Sequence, residues 1–338
     1  MNRRRLVLAF VLAFLAGCAP VPTETARPPS PTPAGLSPTP DGESALPSSS
    51  PSPVSIPPAV GLKGRIVYGG REGHLWVINA DGTGRRQITS AKSGVDFDPA
   101  WMGDKRSVVF RTSRGHYAPD VQGTGTEGIW VVDTATLKER QLYPPNDSTF
   151  GGLFPDPGPG DLVALSTLDA EEHELIVLVD GRSGRIVRRL DVGRSGECSE
   201  WSPDGRKIAY CHLQGSTFDV WEMNADGSHQ TRLTDDPRHD YPGQWSADGG
   251  QLTYSSMGEI WVMNADGTNK RQVTSSAGVQ APEAWLPDGR IVFDSWLPEA
   301  TIPTWFVINA DGSGLTSLPQ FERAGVMGPI DWLQPAGS

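Results

Sequence analysis

The stretch Glu259–Thr274 reads EIWVMNADGTNKRQVT and combines an apolar run, a polar turn and a second extended run. Ile260 to Met263 are β-branched, aromatic or large apolar residues, and the Asn-Ala-Asp-Gly turn after them is closed by Gly267. Extended runs on both sides of a glycine-closed turn are typical of a β-hairpin, because glycine tolerates the positive φ that tight turns need. Five further copies of this hairpin, two of them weaker, begin at Leu75, Ile129, Ile176, Val220 and Trp305.

A second motif recurs between the hairpins and consists of an aromatic residue, a Pro/Asp/Gly turn and an apolar strand. The copy CSEWSPDGRKIAYCH, which starts at Cys198, is a clear example. Joined to the hairpin that follows it, each copy gives four strands per unit. Its aromatic positions lie 40 to 53 residues apart and are Trp101, Phe154, Trp201, Trp245, Trp285 and Trp332. A repeat of this length predicts the blades of a β-propeller.

The two ends of the repeat region complement each other. The segment 64–70 (GRIVYGG) predicts a second strand with no first strand before it, and 328–332 (GPIDW) predicts a first strand with no second strand after it. Pairing them leaves no incomplete sheet, whereas an open stack would expose unpaired edges. We therefore expect an all-β, six-bladed propeller of four-stranded blades over 61–338, closed by pairing of the C-terminal strand (328–333) with the N-terminal blade (64–89).

Nine of the eleven tryptophans occupy two registers of the repeat, and we expect them to pack between blades. Trp296 and Trp305 lie off these registers, which makes them the more interesting pair for function. A set of arginines in the fourth strands is expected to protect exposed sheet edges rather than to bind a ligand. These residues are Arg85, Arg86, Arg140, Arg188, Arg189, Arg232 and Arg271.

The N-terminal segment predicts export and a lipid anchor. Residues 1–18 contain three arginines, about a dozen apolar residues and the ending Leu-Ala-Gly-Cys, which resembles the lipobox of bacterial lipoproteins. Cys18 is then the lipid attachment site, although cleavage by the ordinary signal peptidase is the alternative. Residues 19–60 contain 13 prolines and almost no large apolar side chains, so we expect a disordered tether. The anchor would hold the body at the plasma membrane's outer face or at the outer membrane.

The charge of the chain limits its partners. The formal net charge is −11 at pH 7, and no block of lysines or arginines occurs outside the leader. Nucleic acids and anionic membrane surfaces attract clustered cations, so nucleic acid is excluded and contact with the membrane is expected through the lipid anchor only. The propeller body is expected to be monomeric.

The motifs W-S-P-D-G, which starts at Trp201, and W-V-M-N-A-D-G, which starts at Trp261, resemble the PD40 repeat of TolB-like, WD40-like propellers. The resemblance covers roughly residues 61–338 and implies a propeller scaffold. Relatives of this kind include periplasmic TolB, propeller domains of prolyl-oligopeptidase-like peptidases and some polysaccharide lyases. TolB carries an α/β domain before its propeller, whereas a proline-rich tether occupies that place here. A fold of this kind does not by itself assign a function.

The sequence contains no motif of a common enzyme or cofactor site. A nucleophile elbow, a P-loop, an HExxH motif and paired C-x-x-C motifs are all absent. The Asn-Ala-Asp-Gly turns lack the bidentate glutamate that closes a calcium loop, and a hairpin turn explains their composition. We therefore expect no cofactor, no metal and no catalytic residue.

Candidate ligand-binding residues fall in three places. Glu200, Gln244 and Asp331 each precede the aromatic residue of a first strand, where they would either line the channel or pair across blades. His116, Tyr117 and Asp120 lie in a long loop of the second blade, and Trp296 begins a loop of the sixth. His239, Asp240 and Tyr241 lie where histidine and carboxylates crowd, which fits either a metal or proton-transfer site or a solvated loop.

Cys198 and Cys211 fall in one predicted hairpin around the turn at Asp204 and Gly205. A tight turn there places the two cysteines opposite each other, which permits a cross-strand disulfide in an exported protein. A bulge at Gly205 would instead turn them to opposite faces and leave two free thiols.

These observations predict a lipid-anchored extracytoplasmic β-propeller that binds an unknown protein or saccharide ligand of the cell envelope, without catalysis. The first alternative is a carbohydrate-active enzyme, similar to a polysaccharide lyase or hydrolase, with its site at the channel mouth near His239. The second is a sensor of a small ligand or metal.

Overall fold

The computed structural model describes residues 61–90, 94–113, 128–143, 154–168, 174–193 and 198–335. These residues form six antiparallel sheets of four strands each. The sequence predicted this six-bladed architecture, and the structure confirms it. Residues 1–60, with the predicted signal peptide, Cys18 and the tether, lie outside the described residues.

The first blade consists of β24 (Val326–Leu333), β1 (Arg65–Gly70), β2 (Leu75–Asn79) and β3 (Arg86–Gln87). The second consists of β4 (Asp96–Trp101), β5 (Ser107–Thr112), β6 (Gly128–Asp133) and β7 (Glu139–Tyr143). The third consists of β8 (Pro155–Pro157), β9 (Leu162–Leu168), β10 (Glu174–Asp180) and β11 (Ile186–Asp191). A short 3-10 turn, Pro159–Asp161, precedes β9.

The fourth blade consists of β12 (Glu200–Trp201), β13 (Lys207–Gln214), β14 (Thr217–Asn224) and β15 (Thr231–Arg232). The fifth consists of β16 (Asp240–Trp245), β17 (Gln251–Ser256), β18 (Glu259–Asn264) and β19 (Arg271–Gln272). The sixth consists of β20 (Val279–Trp285), β21 (Arg290–Trp296), β22 (Thr304–Asn309) and β23 (Thr316–Ser317). One α-helix, α1 (Pro319–Ala324), lies between β23 and β24.

The ring closes through the pairing of the last strand with the first. In β24 and β1, Trp332 lies opposite Ile66 and Asp331 lies opposite Val67. The first strands of the six blades contact one another in a closed cycle, from β24 through β4, β8, β12, β16 and β20 back to β24. The predicted closure is therefore confirmed, and every four-stranded sheet is complete.

Six hydrophobic cores stabilise the ring, one between each pair of adjacent blades. The first-strand tryptophans are buried in these cores and the third-strand tryptophans pack half-buried against them, as predicted. Trp305 belongs to the core as well. It is fully buried at a β22 position that Ile260 occupies in β18, and it packs edge-on against Phe321 of α1. Trp305, which lies off the two tryptophan registers, is therefore a core residue.

The Asn-Ala-Asp-Gly turns adopt the geometry that their sequence predicts. In each turn the glycine has a positive φ, for example 80° at Gly267, which other residues rarely adopt. The Asp266 carboxylate accepts hydrogen bonds from the backbone N–H and the hydroxyl of Thr268 at 3.0 and 2.6 Å. The Asn264 side chain also donates to the Thr268 hydroxyl at 3.0 Å, so the motif's side chains stabilise the turn and the hairpin explanation is confirmed.

The arginines of the outer strands do more than protect an edge. Arg86 donates a hydrogen bond to the Thr134 carbonyl of the next blade, and Arg271 donates to the Ala310 carbonyl at 3.1 Å. Arg140 and Arg188 make equivalent bonds to the carbonyls of Gly181 and Asp226. These four residues therefore also link neighbouring blades at the outer rim, a role that the sequence did not predict.

The blade geometry gives the ring two sides. The turn side carries the turns between strands one and two and between strands three and four, such as the turn at Asp266. The loop side carries the connections between strands two and three, such as Met257–Gly258, and those between one blade and the next. Chain connectivity places Arg71, Val95, His239 and Leu297 on the loop side.

Candidate functional site

The innermost strand of each blade places one residue at an equivalent position around the channel. This residue directly precedes the first-strand aromatic position, and the strand registers show that it lies opposite the same point of each second strand. The six residues are Asp331, Ala100, Asp156, Glu200, Gln244 and Ala284. Four of them are polar, which gives the channel an acidic lining.

Asp156 was not predicted from the sequence. The aromatic spacing suggested that Phe154 ends the first strand of the third blade, but β8 spans Pro155–Pro157 and pairs Asp156 with Ala164. Pro157 therefore occupies the position of the tryptophans, and the alignment on Phe154 is wrong. The signal that could have found Asp156 is the register of the second strand, since Val163 and Ala164 correspond to Ile208 and Ala209 of the fourth blade.

The channel carboxylates accept hydrogen bonds from the backbone of the next blade. Asp331 Oδ2 accepts from the Trp101 N–H at 2.6 Å, and Asp156 Oδ2 accepts from the Trp201 N–H at 2.7 Å. The innermost strand has an unpaired edge, and its N–H groups need acceptors when they are removed from water. These carboxylates therefore fasten each blade to the next.

Glu200 and Gln244 make a corresponding contact between the fourth and fifth blades. Gln244 Nε2 donates to the Glu200 carboxylate at 3.2 Å, and Trp245 Nε1 donates to the Glu200 carbonyl at 3.2 Å. The sequence left two roles open for Glu200, Gln244 and Asp331, namely lining the channel or pairing across blades. The structure places them at the innermost position and shows that they pair across blades.

Crowding of carboxylates in the channel changes their ionisation. Burial raises the pKa of Glu200 well above its usual range, and the charges of Asp156 and Asp331 raise it further. Burial likewise raises the pKa of Asp156, although the Trp201 N–H opposes this effect. Removal from water and repulsion between like charges both disfavour the ionised form of a carboxyl group. The ionised forms of these neighbouring carboxylates therefore disfavour one another.

A second carboxylate pair lies where the sixth blade meets the first. Glu283 Oε2 accepts from the Ile330 N–H at 2.8 Å, and Asp294 Oδ2 accepts from Trp296 Nε1 at 2.8 Å. A Cβ atom at Gly328 would lie 2.9 Å from Asp294 Oδ2 and 3.2 Å from Glu283 Oε1, so both carboxylates approach the bare backbone of Gly328. Trp296, predicted as a binding residue, is thus tied to a buried carboxylate.

Burial raises the pKa of Asp294 to about 7, against the opposing effect of the Trp296 hydrogen bond. Burial also raises the pKa of Glu283 well above its usual range, and the charge of Asp294 adds to this effect. The pair therefore holds a proton more tightly than isolated carboxyl groups do.

A buried ion pair neutralises one further carboxylate of the channel. Arg111 Nη2 lies 2.6 Å from Asp98 Oδ2, and both side chains are almost removed from solvent. The guanidinium group is stacked on two rings, with its central carbon 4.3 Å from the centroid of Phe97 and 4.5 Å from that of Phe154. Cations over aromatic faces are attracted by the ring quadrupole. This arrangement joins the second and third blades.

The segment at the start of the fifth blade forms an aromatic cluster on the loop side, made of Phe218, His239 and Tyr241. The rings of His239 and Tyr241 are stacked at a centroid distance of 6.4 Å, and Phe218 lies 5.5 Å from Tyr241. The Phe218 N–H donates to His239 Nδ1 at 3.2 Å, which leaves Nε2 as the protonated nitrogen of the neutral ring. His239 is exposed, while Phe218 and Tyr241 are half-buried.

Asp240 does not join this cluster. Its side chain is fully buried on the opposite face of the strand, because successive residues of a strand point to opposite faces. Burial raises the pKa of Asp240. The structure therefore brings His239 and Tyr241 together and separates them from the neighbouring carboxylate.

The remaining predicted residues have different outcomes. His116, Tyr117 and Asp120 lie outside the described residues, as does Cys18. Glu200 pairs with Ala209, which is the register that a tight turn at Asp204 and Gly205 would give. Cys198, however, precedes the first residue of the strand and has a positive φ of 64°, so it does not pair with Cys211 in the sheet. Within the described residues, neither Cys198 nor Cys211 forms a disulfide bond.

The described residues contain neither a metal-binding cluster nor a membrane-spanning helix. No group of three or more histidine, cysteine, aspartate or glutamate side chains within the described ranges could hold a metal ion. No helix in the same part of the chain is both long and apolar enough to span a membrane.

Sequence comparison gives short matches only. No family model matches the chain. The Tol-Pal system protein TolB of Anaeromyxobacter dehalogenans is 40% identical over 63 residues, which are 19% of this chain and 14% of that protein. The chain thus matches about one seventh of the length of this curated relative.

Comparison with solved structures covers most of the ring. The crystal structure of TolB from Acinetobacter baumannii superposes with a TM-score of 0.63 at 16% identity, over 80% of this chain and 67% of that one. An oligogalacturonate lyase in complex with manganese gives a TM-score of 0.53 at 17% identity, over 75% of this chain and 73% of that one. Likeness at these identities establishes the fold. Together with the six closed blades, it shows that the body of the chain has the fold of a TolB-like β-propeller.

Proposed function

We propose that the chain is a lipid-anchored extracytoplasmic protein whose propeller binds another protein at the cell envelope and catalyses no reaction. The observation that carries this proposal is that the channel carboxylates are engaged in hydrogen bonds between blades. Asp156, Asp331 and Glu283 each accept a backbone N–H of the neighbouring blade. A catalytic acid or base must be able to reach substrate, and these oxygens instead fasten the ring.

The loop side supplies the binding surface in this proposal. The aromatic cluster combines two half-buried rings with the exposed ring of His239, and such amphipathic rings are enriched in protein interfaces. Met257 follows Ser256, the partner of Asp240 in the sheet, and 74% of its surface is exposed. A flexible methionine beside a rigid aromatic cluster suits contact with a protein surface.

The position of the chain in the envelope rests on the first 60 residues. Cys18 would carry the lipid, residues 19–60 would act as a spacer, and the ring would present its loop side to a partner. The similarity to TolB supports an envelope location, because the relative that matches is a component of the Tol-Pal system.

The binding proposal is tested by capture of envelope proteins on the full chain. The purified chain is immobilised in detergent, and bound proteins are identified by mass spectrometry and then titrated individually. Tyr241→Ala and Met257→Ser should each weaken binding of the captured partner by about tenfold, the effect expected of a central interface residue. Leu315→Ser alters an exposed apolar residue on the turn side and should leave binding unchanged.

The lyase-like superposition supplies the competing outcome of this test. Incubation of the chain with acidic oligosaccharides, with and without manganese, followed by detection of new reducing ends, measures cleavage directly. Cleavage that depends on Glu200 or Asp331 would overturn the non-catalytic proposal. Equal capture by the Tyr241→Ala and Leu315→Ser variants would overturn the assignment of the binding surface.

A further inference from the structure

A cavity of about 300 Å³ lies on the outer flank of the first blade, away from the channel and the aromatic cluster. Its walls are the turn after β1, the residue before β3 and the C-terminal end of α1. Three arginines and two glutamates line it, namely Arg71, Arg85, Arg323, Glu72 and Glu322. The cavity therefore has a local charge of +1, on a chain whose formal charge is −11.

Arg85 is held in a fixed position at this cavity. Its guanidinium carbon lies 3.4 Å from the centroid of the Trp76 ring, and its Nε donates to the Tyr68 hydroxyl at 2.9 Å. The Tyr68 hydroxyl in turn donates to the Ala324 carbonyl of α1 at 3.3 Å. Stacking on an aromatic face and one fixed hydrogen bond orient the planar fork of an arginine, so less entropy is lost when a ligand binds.

The charges of the other two arginines are not neutralised by an ion pair within the described residues. Within the described part of the chain, Arg71 and Arg323 form no ion pair or hydrogen bond through their side chains, and the two terminal nitrogens of Arg85 have no partner either. Most other described arginines behave differently, because they link blades or pair with aspartates such as Asp133. Three arginines thus line one cavity, and apart from Arg85 Nε their side-chain donors make no hydrogen bond within the described residues.

We propose that this cavity is a binding site for a phosphate group. A carboxylate has two oxygens, which one arginine fork can satisfy, whereas a phosphate offers enough oxygens for three guanidinium groups. Glu72 and Glu322 accept hydrogen bonds, so they suit a hydroxyl or ammonium group that neighbours the phosphate. The ligand class is therefore a phosphate carried by a small molecule with a neighbouring hydroxyl or ammonium group, either free in solution or as a lipid headgroup.

Isothermal titration of the full chain with inorganic phosphate, in buffers of matched ionic strength, tests the site. We expect saturable one-to-one binding at millimolar phosphate, and weaker binding as salt increases. Arg71→Ala and Arg323→Ala should each weaken it at least about tenfold, since each removes charge-assisted hydrogen bonds. Arg85→Lys keeps the charge but loses the fork and should also weaken binding.

Arg189→Ala is the matched control, because it removes an exposed arginine from a fourth strand that does not line the cavity. It should bind phosphate as the unmodified chain does. Three results would overturn the proposal: no saturable binding, equal binding of acetate at the same ionic strength, or a Arg71→Ala/Arg323→Ala double variant with unchanged affinity. Thermal melting of each variant shows that loss of binding is not loss of folding.

The source of the phosphate is resolved with two further probes. The full chain carrying Cys18→Ala is titrated with glycerol phosphate and is separately sedimented with vesicles of phosphatidylglycerol or phosphatidylcholine. Tighter binding of glycerol phosphate without sedimentation assigns a soluble ligand. Sedimentation with phosphatidylglycerol alone, lost in Arg71→Ala/Arg323→Ala, assigns a lipid headgroup. Sedimentation that the double variant retains would contradict a role of this cavity at the membrane.

Discussion

At the scale of single residues, the inner carboxylates combine two properties that usually conflict. They are removed from water, which penalises their charge, and they accept backbone N–H groups, which favours it. In Asp156 and Glu283 the penalty dominates, since the pKa of each is raised. These carboxylates therefore join the blades by hydrogen bonds, and their raised pKa values make the free energy of unfolding depend on pH.

Asp294 provides a test of this electrostatic account. Its pKa is raised from 3.8 to about 7, so between these values the folded protein retains a proton that the unfolded chain has lost. The free energy of unfolding consequently decreases as pH rises through this window. Asp294→Asn removes this dependence and can still accept from Trp296. In urea unfolding, the free energy of unfolding of the variant minus that of the unmodified chain should increase by on the order of 2 kcal/mol from pH 5 to pH 8.

Asp311→Asn is the control for this prediction. Asp311 lies in an exposed turn, and a hydrogen bond from the Ser313 hydroxyl lowers its pKa. Its contribution to stability is present above the unfolded pKa and is lost only when pH falls through the lowered value. The difference between Asp311→Asn and the unmodified chain should therefore be constant from pH 5 to pH 8. The account is wrong if Asp294→Asn shows the same constant difference.

The sequence predicted part of this inner ring. Glu200, Gln244 and Asp331 were found because a tryptophan follows each of them and marks the register. Asp156 was missed because a proline takes the place of the tryptophan there, and Phe154 offered a misleading aromatic. Glu283 was missed because its role depends on the N–H of Ile330, which is 47 residues away and belongs to the closing strand.

At the scale of elements, turns fit between blades with little spare room. The turn between β10 and β11 places Gly184, with a φ of 71°, against the second blade. A Cβ atom on Gly184 would lie 1.8 Å from the Leu142 carbonyl oxygen. Gly184→Ala should therefore lower the free energy of unfolding by on the order of 3 kcal/mol, as chemical denaturation can measure.

Gly289 provides a matched comparison. It also has a positive φ, of 85°, but no atom lies within 4 Å of the position that its Cβ would take. Gly289→Ala incurs only the backbone cost of the left-handed conformation, about 1 kcal/mol. Equal losses at the two glycines would show that the blades do not pack as closely at Gly184 as described.

The outer arginines give a second prediction at this scale. Arg271 donates to the Ala310 carbonyl of the next blade, whereas Arg189 makes no such bond. Arg271→Ala should lower the free energy of unfolding by about 1 kcal/mol, the usual value of a partly exposed hydrogen bond. Arg189→Ala removes the same charge and should change the free energy of unfolding by less than half of the change in Arg271→Ala. Comparable effects of the two substitutions in urea unfolding would argue against the blade-linking role.

The strands were predictable from the sequence, while helix α1 was not. Alternating apolar residues and glycine-closed turns recur in each blade, so each copy supports the others. Residues 319–324 occur once, and a helix of six residues has no period that a repeat could reveal. The phosphate cavity depends on this helix and on Arg71 and Arg323, which are far apart in the chain. Only the folded ring brings these two arginines together.

At the scale of the whole molecule, closure of the ring lets six sheets that would be marginally stable alone form one stable domain. A four-stranded blade cannot bury both of its faces alone, and each of the six cores is shared between two blades. The sequence predicted this closure because the N-terminal end of the repeat region lacked a first strand and the C-terminal end supplied one. Which residues lie on the turn side and which on the loop side, by contrast, follows only from the order in which the strands are connected.

A lipid anchor on Cys18 would make the loop side available at a distance from the membrane. Cys18→Ala should move the full chain from the detergent phase to the aqueous phase in a detergent-partition experiment, because acyl chains provide most of the membrane affinity of such an anchor. Cys198→Ala changes a cysteine of the folded body and should not alter partitioning. Unchanged partitioning of Cys18→Ala would contradict the proposed anchor.

The most direct test of the account is amide hydrogen exchange in β1 with and without the closing strand. A chain that ends at Gly325 lacks β24, and a chain that ends at Leu333 retains it and serves as the control. The control should protect Arg65–Gly70 as strongly as the full chain does, since β24 and β2 both pair with this strand. The chain ending at Gly325 should lose this protection and unfold at lower urea concentration. Full protection of β1 in the shorter chain would contradict the closed ring.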